Sequence, residues 1–415
     1  MKYTNFPLLL VLIMISFISG IDTKAQSIAG SAYTVFGIGD LIPKQSAINK
    51  ALGGSGIGLR SELYLNLQNP ASLTAITSPV TQLFEMGAHV EFDRYKTMDA
   101  EETGSSGNLS NLNLWFRLSP RWAMAIGFAP YSKVDYDITT QRNLGALSTA
   151  SIVNYQGSGG FNQVYLGNGF RVTKNLSIGF NSAFLFGSIL KTEIVESLDL
   201  SNAFRVENQL FMNKVLFDFG AQYSVFLPKS TITIGTTFAY ETAFSVTKDA
   251  TLFESDLNTI SGETTTEDNY RLPLTAGFGL SFNSAKSTIS ADVKYQNWST
   301  TSFSEDTGFR DIYHYALGYE YKTNFSSDHN LNMVCFRSGI FYKDNYLDLA
   351  DGTFAEWGFN VGIGIPVQGN KTTLNLNYSH LRRGTTNNGL IEESAGLINF
   401  DVVIRDAWFI RRKFN

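Results

Sequence analysis

Apolar and polar residues alternate with a period of two along much of the chain. From Ser287 to Gln296, Ile289, Ala291, Val293 and Tyr295 take one face, while Ser290, Asp292, Lys294 and Gln296 take the other. Trp357, Phe359, Val361, Ile363 and Ile365 alternate with Gly358, Asn360, Gly362 and Gly364, and Leu374, Leu376 and Tyr378 with Asn375, Asn377 and Ser379. The same spacing recurs at Leu112, Leu114, Phe116 and Leu118, at Ile232, Ile234 and Phe238, and at Ile398, Phe400, Val402 and Ile404. Such strands suit a solvated sheet or a membrane barrel with a polar lumen. About fourteen of them begin near residues 80, 109, 121, 156, 175, 208, 230, 269, 287, 311, 330, 354, 371 and 396, an even number as bacterial barrels have. Tight connections such as Ser119-Pro120, Thr173-Lys174-Asn175 and 283–286 alternate with long polar segments at 98–107, 139–151, 191–202, 248–268 and 382–394. Short turns at one end and long loops at the other predict an all-β protein, a 14-stranded antiparallel transmembrane β-barrel over residues 80–415. Aromatics at Trp408, Phe409 and Phe414 suit an interfacial girdle, and Asp406 breaks the outward row at the membrane edge.

The first 79 residues follow other rules. Lys2, the apolar run Phe6 to Ile18, and Thr23, Lys24 and Ala25 make up a signal peptide over 1–25. No cysteine lies near the cut, which argues against a lipid anchor, and no later apolar run reaches the length of a membrane-spanning helix. The stretch "NKALGGSGIGLRSELYLNLQNPASLT" (49–74) then carries Gly53, Gly54, Gly56 and Gly58. Their spacing matches neither G-x-G-x-x-G nor a P-loop, so close backbone packing is the expected use. In the triplet Asn69, Pro70, Ala71, Asn69 can cap a helix and Pro70 suits its first position. Residues 28–77 are too apolar and glycine-rich for a disordered tail. Residues 26–79 are therefore expected to fold back into the lumen as a plug containing short helices.

Charge and composition narrow the chemistry. Charged residues are 17% of the chain and aromatics 13%, with 36 glycines and 9 prolines. A net charge of −5 gives no reason to expect nucleic acid. His89, His314, His329 and His380 are scattered, Cys335 is the lone cysteine, and no G-x-S-x-G occurs. No metal site, cofactor or catalytic residue is expected, and the chain does not read as an enzyme. The pairs Glu101-Glu102 and Glu392-Glu393 fall in expected loops, either as solvated charge or as a cation-bridged contact to lipopolysaccharide. Inward Asp292, Lys294 and Arg337 would pair with one another, or Lys294 and Arg337 would hold a ligand carboxylate.

The signal peptide, the glycine-rich segment, Asn69-Pro70-Ala71, the strand count, and the stretches "GSGGFNQVYLGNGFRV" (157–172) and "LSIGFNSAFLFGSI" (176–189) carry a resemblance over most of the chain. The sequence resembles the long-chain fatty acid transporter family FadL/OmpP1/TodX, in a Bacteroidetes-like form. The resemblance implies a monomer in the outer membrane, in contact with its lipid and lipopolysaccharide. In that family a hydrophobic ligand such as a fatty acid enters from outside, passes an N-terminal plug and leaves through a gap beside a kinked third strand. Here that strand holds Gly127, Ala129 and Pro130, and Pro130 has no ladder donor to give. Pro130 either breaks the wall or merely ends the strand. The resemblance also leaves open an interaction barrel, a shuttle component of the type IX secretion system.

Overall fold

The computed structural model describes residues 30–143, 150–197, 203–254, 258–301, 308–323, 333–349, 352–367, 371–387 and 390–407. The signal segment 1–25, His329 and the terminal aromatics Trp408, Phe409 and Phe414 lie outside these. The strands are β1 (Asp40–Leu41), β2 (Gln82–Lys96), β3 (Glu101–Ser119), β4 (Trp122–Pro130), β5 (Ser132–Asn143), β6 (Ala150–Arg171), β7 (Leu176–Ser197) and β8 (Ala203–Phe226). They continue with β9 (Ser230–Ala239), β10 (Thr242–Glu254), β11 (Asn258–Leu272), β12 (Thr275–Ser284), β13 (Ser287–Gln296), β14 (Gly308–Phe309) and β15 (Ile312–Thr323). The last are β16 (Val334–Asp344), β17 (Leu347–Asp348), β18 (Ala355–Val367), β19 (Thr372–Arg383) and β20 (Glu392–Asp406).

Every wall pairing is antiparallel, and β20 returns to β2 (Gln82 opposite Asp406, Lys96 opposite Glu392), so the sheet closes on itself. β4 and β5 both pair with β6 and form one interrupted wall strand, as do β9 with β10 against β8. β11 and β12 form a third, bordered by β10 and β9. Counted so, the wall has fourteen strands; β1 and the β14–β17 pair are additional. The outer face carries the apolar rows: Trp357, Phe359 and Val361 are exposed, whereas Asn360 between them is buried on the inner face. A soluble barrel would hide that belt, so this wall faces lipid.

The starts of β2 and β9 and the ends of β8 and β20 share one end, the near end. At the far end the segments expected as loops are mostly paired strand: Lys248 lies opposite Thr265 and Thr251 opposite Gly262, and β8 runs 24 residues. Beyond the hydrocarbon both faces of a hairpin are wet, so alternation fades while the ladder continues. Glu101-Glu102 and Glu392-Glu393 accordingly sit in β3 and β20, where Arg94 binds Glu101 (2.8 Å), Arg382 binds Glu392 (2.6 Å) and Arg383 binds Glu393 (2.5 Å).

Each strand interruption reverses which residues face inward. In β4 the buried positions are odd (Ala123, Ala125, Ala129), but in β5 they are even (Ser132, Val134, Tyr136). Two residues of β6, Gly160 and Phe161, face three of the broken strand, Tyr131 to Lys133, and one extra residue shifts a period-two pattern by one face. Ile234 and Phe238 of β9 point out, whereas Phe244 and Val246 of β10 are buried. Leu280 and Phe282 of β12 likewise point out, while Leu272 of β11 is buried.

The N-terminal segment threads the lumen from far end to near end. It holds β1, one five-residue helix α1 (Ala47–Ala51), and two 3-10 turns at Ala32–Val35 and Pro70–Thr74, so it is mainly irregular where a plug of short helices was expected. The lumen is packed, not a polar channel. Tyr33 and Ile38 join wall residues Val134, Tyr136 and Phe244 and the far-end connection residues Trp298 and Phe354 in an apolar cluster, and Leu65, Leu73 and Ile76 join Trp115 and Val403 in a near-end one.

Candidate functional site

The third wall strand is where the ladder opens. β3 pairs with β4 from Leu112 to Ser119, but no ladder pairing joins Glu101–Asn111 of β3 to β5 among the described residues. That side of β5 is taken by β1: Asp40 lies opposite Lys133, Leu41 opposite Ser132, and Ile42 N donates to Tyr131 O at 2.8 Å. Lys133 Nζ reaches across the gap to Ser106 Oγ at 3.4 Å. The N-terminal segment thus substitutes for the missing wall neighbour, meeting backbone groups that an open edge would leave unpaired.

Pro130 ends β4 at the foot of the gap, opposite Asn162. The small residues Gly127 and Ala129 leave no void beside it. A Cβ on Gly127 would lie 2.4 Å from Asn113 Oδ1 and 2.5 Å from Tyr165 Oη, and Ala129 is buried. Tyr165 Oη donates to Asn113 Oδ1, so the glycine seats a tyrosine from β6 in place of a void.

Residues 30–42 are held by charge and by backbone acceptors. Arg383 of β19 donates to both oxygens of Asp40 (2.9 and 2.7 Å), to Glu393 Oε2 and to Ser31 Oγ (2.6 Å). Burial would raise the carboxyl pKa of Asp40, but the charge and hydrogen bonds of Arg383 outweigh it and hold the group below the ordinary carboxylate range. Tyr33 Oη donates to Ile391 O (2.7 Å), Tyr346 Oη to Gly39 O (3.1 Å) and Lys191 Nζ to Val35 O (2.7 Å). Behind this segment lies the far-end apolar cluster, where Trp298 stacks on Tyr346 at 4.5 Å and Tyr33 meets Phe354 at 4.2 Å.

Farther in, the wall and the segment meet backbone to backbone. A Cβ on Gly235 would lie 2.0 Å from Ile57 O, one on Gly279 2.5 Å from Gly58 N, and one on Gly339 2.1 Å from Gly53 N. Gly53 and Gly54 also need positive φ (70° and 85°), which side chains resist. Gly56 N and Ile57 N both donate to Asp292 Oδ2 (2.5 and 2.8 Å), so Asp292 serves the segment and makes no close ion pair with Lys294. A Cβ on Gly56 would run into Asn49 and Asn66. At the triplet, Asn69 Oδ1 accepts from Ala71 N (3.1 Å) while its Nδ2 donates to Ile57 O (2.9 Å) and to wall carbonyls of Ala221 and Thr236 (3.2 Å each). Pro70 starts the 3-10 turn that leads out of the lumen.

Arg337 is engaged: its Nε donates to Glu320 at 2.7 Å and its Nη1 to Asn375 at 3.0 Å, both deep in the wall. Lys294 makes no hydrogen bond or close ion pair among the described residues, though the charges of Asp292 and Asp218 act on it. His89 meets Ser110 Oγ (2.9 Å), His314 edges onto Phe341, and Cys335 is a buried free thiol. Among the described residues no three His, Cys, Asp or Glu side chains are grouped to hold a metal ion. Asp406 pairs with Lys371 at 3.6 Å on the near-end rim. Sequence reasoning missed Asp40, Arg383 and the apolar cluster, whose signal was the change of phase at Pro130, Tyr240 and Pro273.

The closed fourteen-strand barrel shares its fold with solved hydrocarbon transporters and channels. The toluene transporter TbuX of Ralstonia pickettii superposes with a TM-score of 0.60 at 16% identity, covering 87% of this chain and 98% of its own. The CymD monoaromatic hydrocarbon channel gives 0.59 at 14%, covering 90% and 99%. A FadL homologue of Pseudomonas aeruginosa gives 0.60 at 11%, covering 88% and 99%. Within that fold, the chain belongs to the BamG family, whose model matches residues 8–415. No curated protein matches it.

Proposed function

We propose that the protein is an outer-membrane conduit, not an enzyme, exported by its signal peptide, that admits small hydrophobic molecules at the far end and releases them sideways into the bilayer between β3 and β5. The observation that carries this reading is the inward-facing aromatic and aliphatic cluster beside the one place where β1, not a wall strand, completes the ladder. A polar pore has no use for buried Trp298, Phe244 and Val134 facing inward. An acyl or aromatic ligand displacing Tyr33 and Ile38 from that cluster would exchange one apolar contact for another, at about 0.8 kcal/mol per buried methylene. The structural neighbours, toluene and monoaromatic hydrocarbon channels and a FadL homologue, support the ligand class, and a fatty acid would find in Lys294 a cation with no close ion pair for its carboxylate. Outer-membrane lipid, including lipopolysaccharide, would surround a monomer.

The test is uptake of radiolabelled toluene and of a long-chain fatty acid by cells carrying the protein or its Pro130→Val variant. Valine restores a donor and a strand-compatible side chain at the foot of the gap, so uptake should fall severalfold at equal membrane abundance. Full uptake by the folded variant would rule out exit at this strand.

The backbone-to-backbone seating of residues 53–58 favours a second reading. A segment so closely fitted suits a barrel that stays shut and presents its surface to a partner, as a secretion-system shuttle would. Crosslinking in whole cells separates the two: stoichiometric capture of a membrane protein together with null uptake would favour the interaction barrel.

A further inference from the structure

At the near end a cavity of about 200 Å³ lies between the exit of the N-terminal segment, Thr74 to Ser78, and the turn from β3 to β4. Arg117, Arg121 and Arg171 line it together with Trp122. Local bonds fix the three arginines in place: Arg171 N donates to Arg121 O (2.8 Å), Arg117 N to Thr81 O (2.9 Å), and Ser119 Oγ accepts from both Arg121 N (3.2 Å) and Trp122 N (3.0 Å). Arg171 also donates to Thr74 O, and Arg60 adds a fourth guanidinium nearby, bound to Thr74 Oγ1 at 2.9 Å. Among the described residues none of these four arginines has a carboxylate partner. Glu62, the nearby acid, is exposed and accepts from Thr77 Oγ1 (3.3 Å). Like charges gathered round a hollow without a counter-ion repel one another, and the group that relieves them is an anion with several acceptor oxygens.

We propose that this cavity binds the phosphate of a phospholipid headgroup from the membrane leaflet at the near end. Depth in the bilayer argues for a lipid over a free ion. Trp122 stands 40% exposed on the outer face, stacked 5.9 Å from Phe170, which in turn lies 6.5 Å from Phe180. Such an aromatic girdle marks the headgroup level. A phosphodiester held by Arg117 and Arg121 would leave its acyl chains to run down that girdle, while Arg171 ties the same headgroup to the carbonyl of Thr74 and so to the exit of the N-terminal segment.

The experiment titrates the full-length protein in detergent by native mass spectrometry with dihexanoyl phosphatidylglycerol, dihexanoylglycerol and sn-glycerol 1-phosphate. Phosphatidylglycerol should bind on the order of tenfold more tightly than either fragment, and Arg117→Gln/Arg121→Gln should lose that advantage while Arg117→Lys/Arg121→Lys keeps most of it. If the double Gln variant fails to show heat-modifiable migration, Arg121→Gln alone, an exposed position, serves in its place. Equal binding of phosphatidylglycerol by the Gln variant overturns the site. Glycerol phosphate binding as tightly as the lipid overturns the headgroup assignment, because the cavity would then take a free anion.

Discussion

At the scale of single residues, the lumen is held together by contacts that tolerate no added atom and by charges that tolerate no missing partner. Gly235 shows the first. An alanine Cβ would meet Ile57 O at 2.0 Å, whereas at Gly262 the nearest atom is 4.0 Å away. Gly235→Ala should therefore displace residues 56–58 while the ladder of β9, built from main-chain bonds, still assembles. Limited proteolysis of the folded barrel should cut the N-terminal segment faster in Gly235→Ala and no faster in Gly262→Ala, and equal rates would mean the segment shifts without cost. Arg337 shows the second. Glu320 is fully buried, with Arg337 at 2.7 Å and Lys322 at 3.2 Å. Arg337→Met strips the closer cation and should cost about 3–5 kcal/mol in urea unfolding, with much of it recovered by Glu320→Gln in the same chain. That engagement also removes Arg337 from the ligand-carboxylate role its inward position in the sequence pattern allowed.

At the scale of elements, the three interrupted strands decide what the lumen is made of. One extra residue near Tyr131 turns Val134 and Tyr136 from lipid to lumen. Deleting Tyr131 should cancel the shift. A cysteine at position 134 would then move from the buried interior to the lipid face and react with a membrane-soluble maleimide, as it should not in the parent chain. No change in reactivity would place the cause of the shift in β6, where Gly159 and Gly160 have positive φ. The same shifts set how far the sequence could be read. Strand number and the outer face were legible because lipid enforces alternation on every wall strand, as along Ile289 to Tyr295 and Trp357 to Ile365. The turn at Pro70 was legible because asparagine followed by proline acts locally. The far-end cluster was not, because Phe244 and Val246 look like any outward pair unless the phase of β9 is carried across Tyr240. The Asp40–Arg383 contact was not, because the two lie 343 positions apart and meet only once the barrel closes.

At the scale of the whole molecule, β5 is the place where the N-terminal segment, not a wall strand, fills the ladder, so on the proposed lateral route the fate of β1 decides whether the barrel opens sideways. A reversible lock can test this. Leu41 and Ser132 are directly opposed in an antiparallel pair, where Cα atoms stand about 4.5–5.5 Å apart, inside the range a disulfide spans. Cys335, the native cysteine, is buried in β16, far along the ladder from this pair. The Leu41→Cys/Ser132→Cys variant should assemble normally, since the bond would join residues that are already neighbours. When oxidised, it should hold β1 against β5 and block toluene uptake. When reduced, it should recover toward the parent rate within the same preparation, which removes expression and folding as explanations. Undiminished uptake with the crosslink complete would show that β1 stays in place during transport, and the route would then have to pass elsewhere or not exist. Loss of uptake in both redox states would instead indict the substitutions, and the single variants Leu41→Cys and Ser132→Cys would identify which contact the transport path needs.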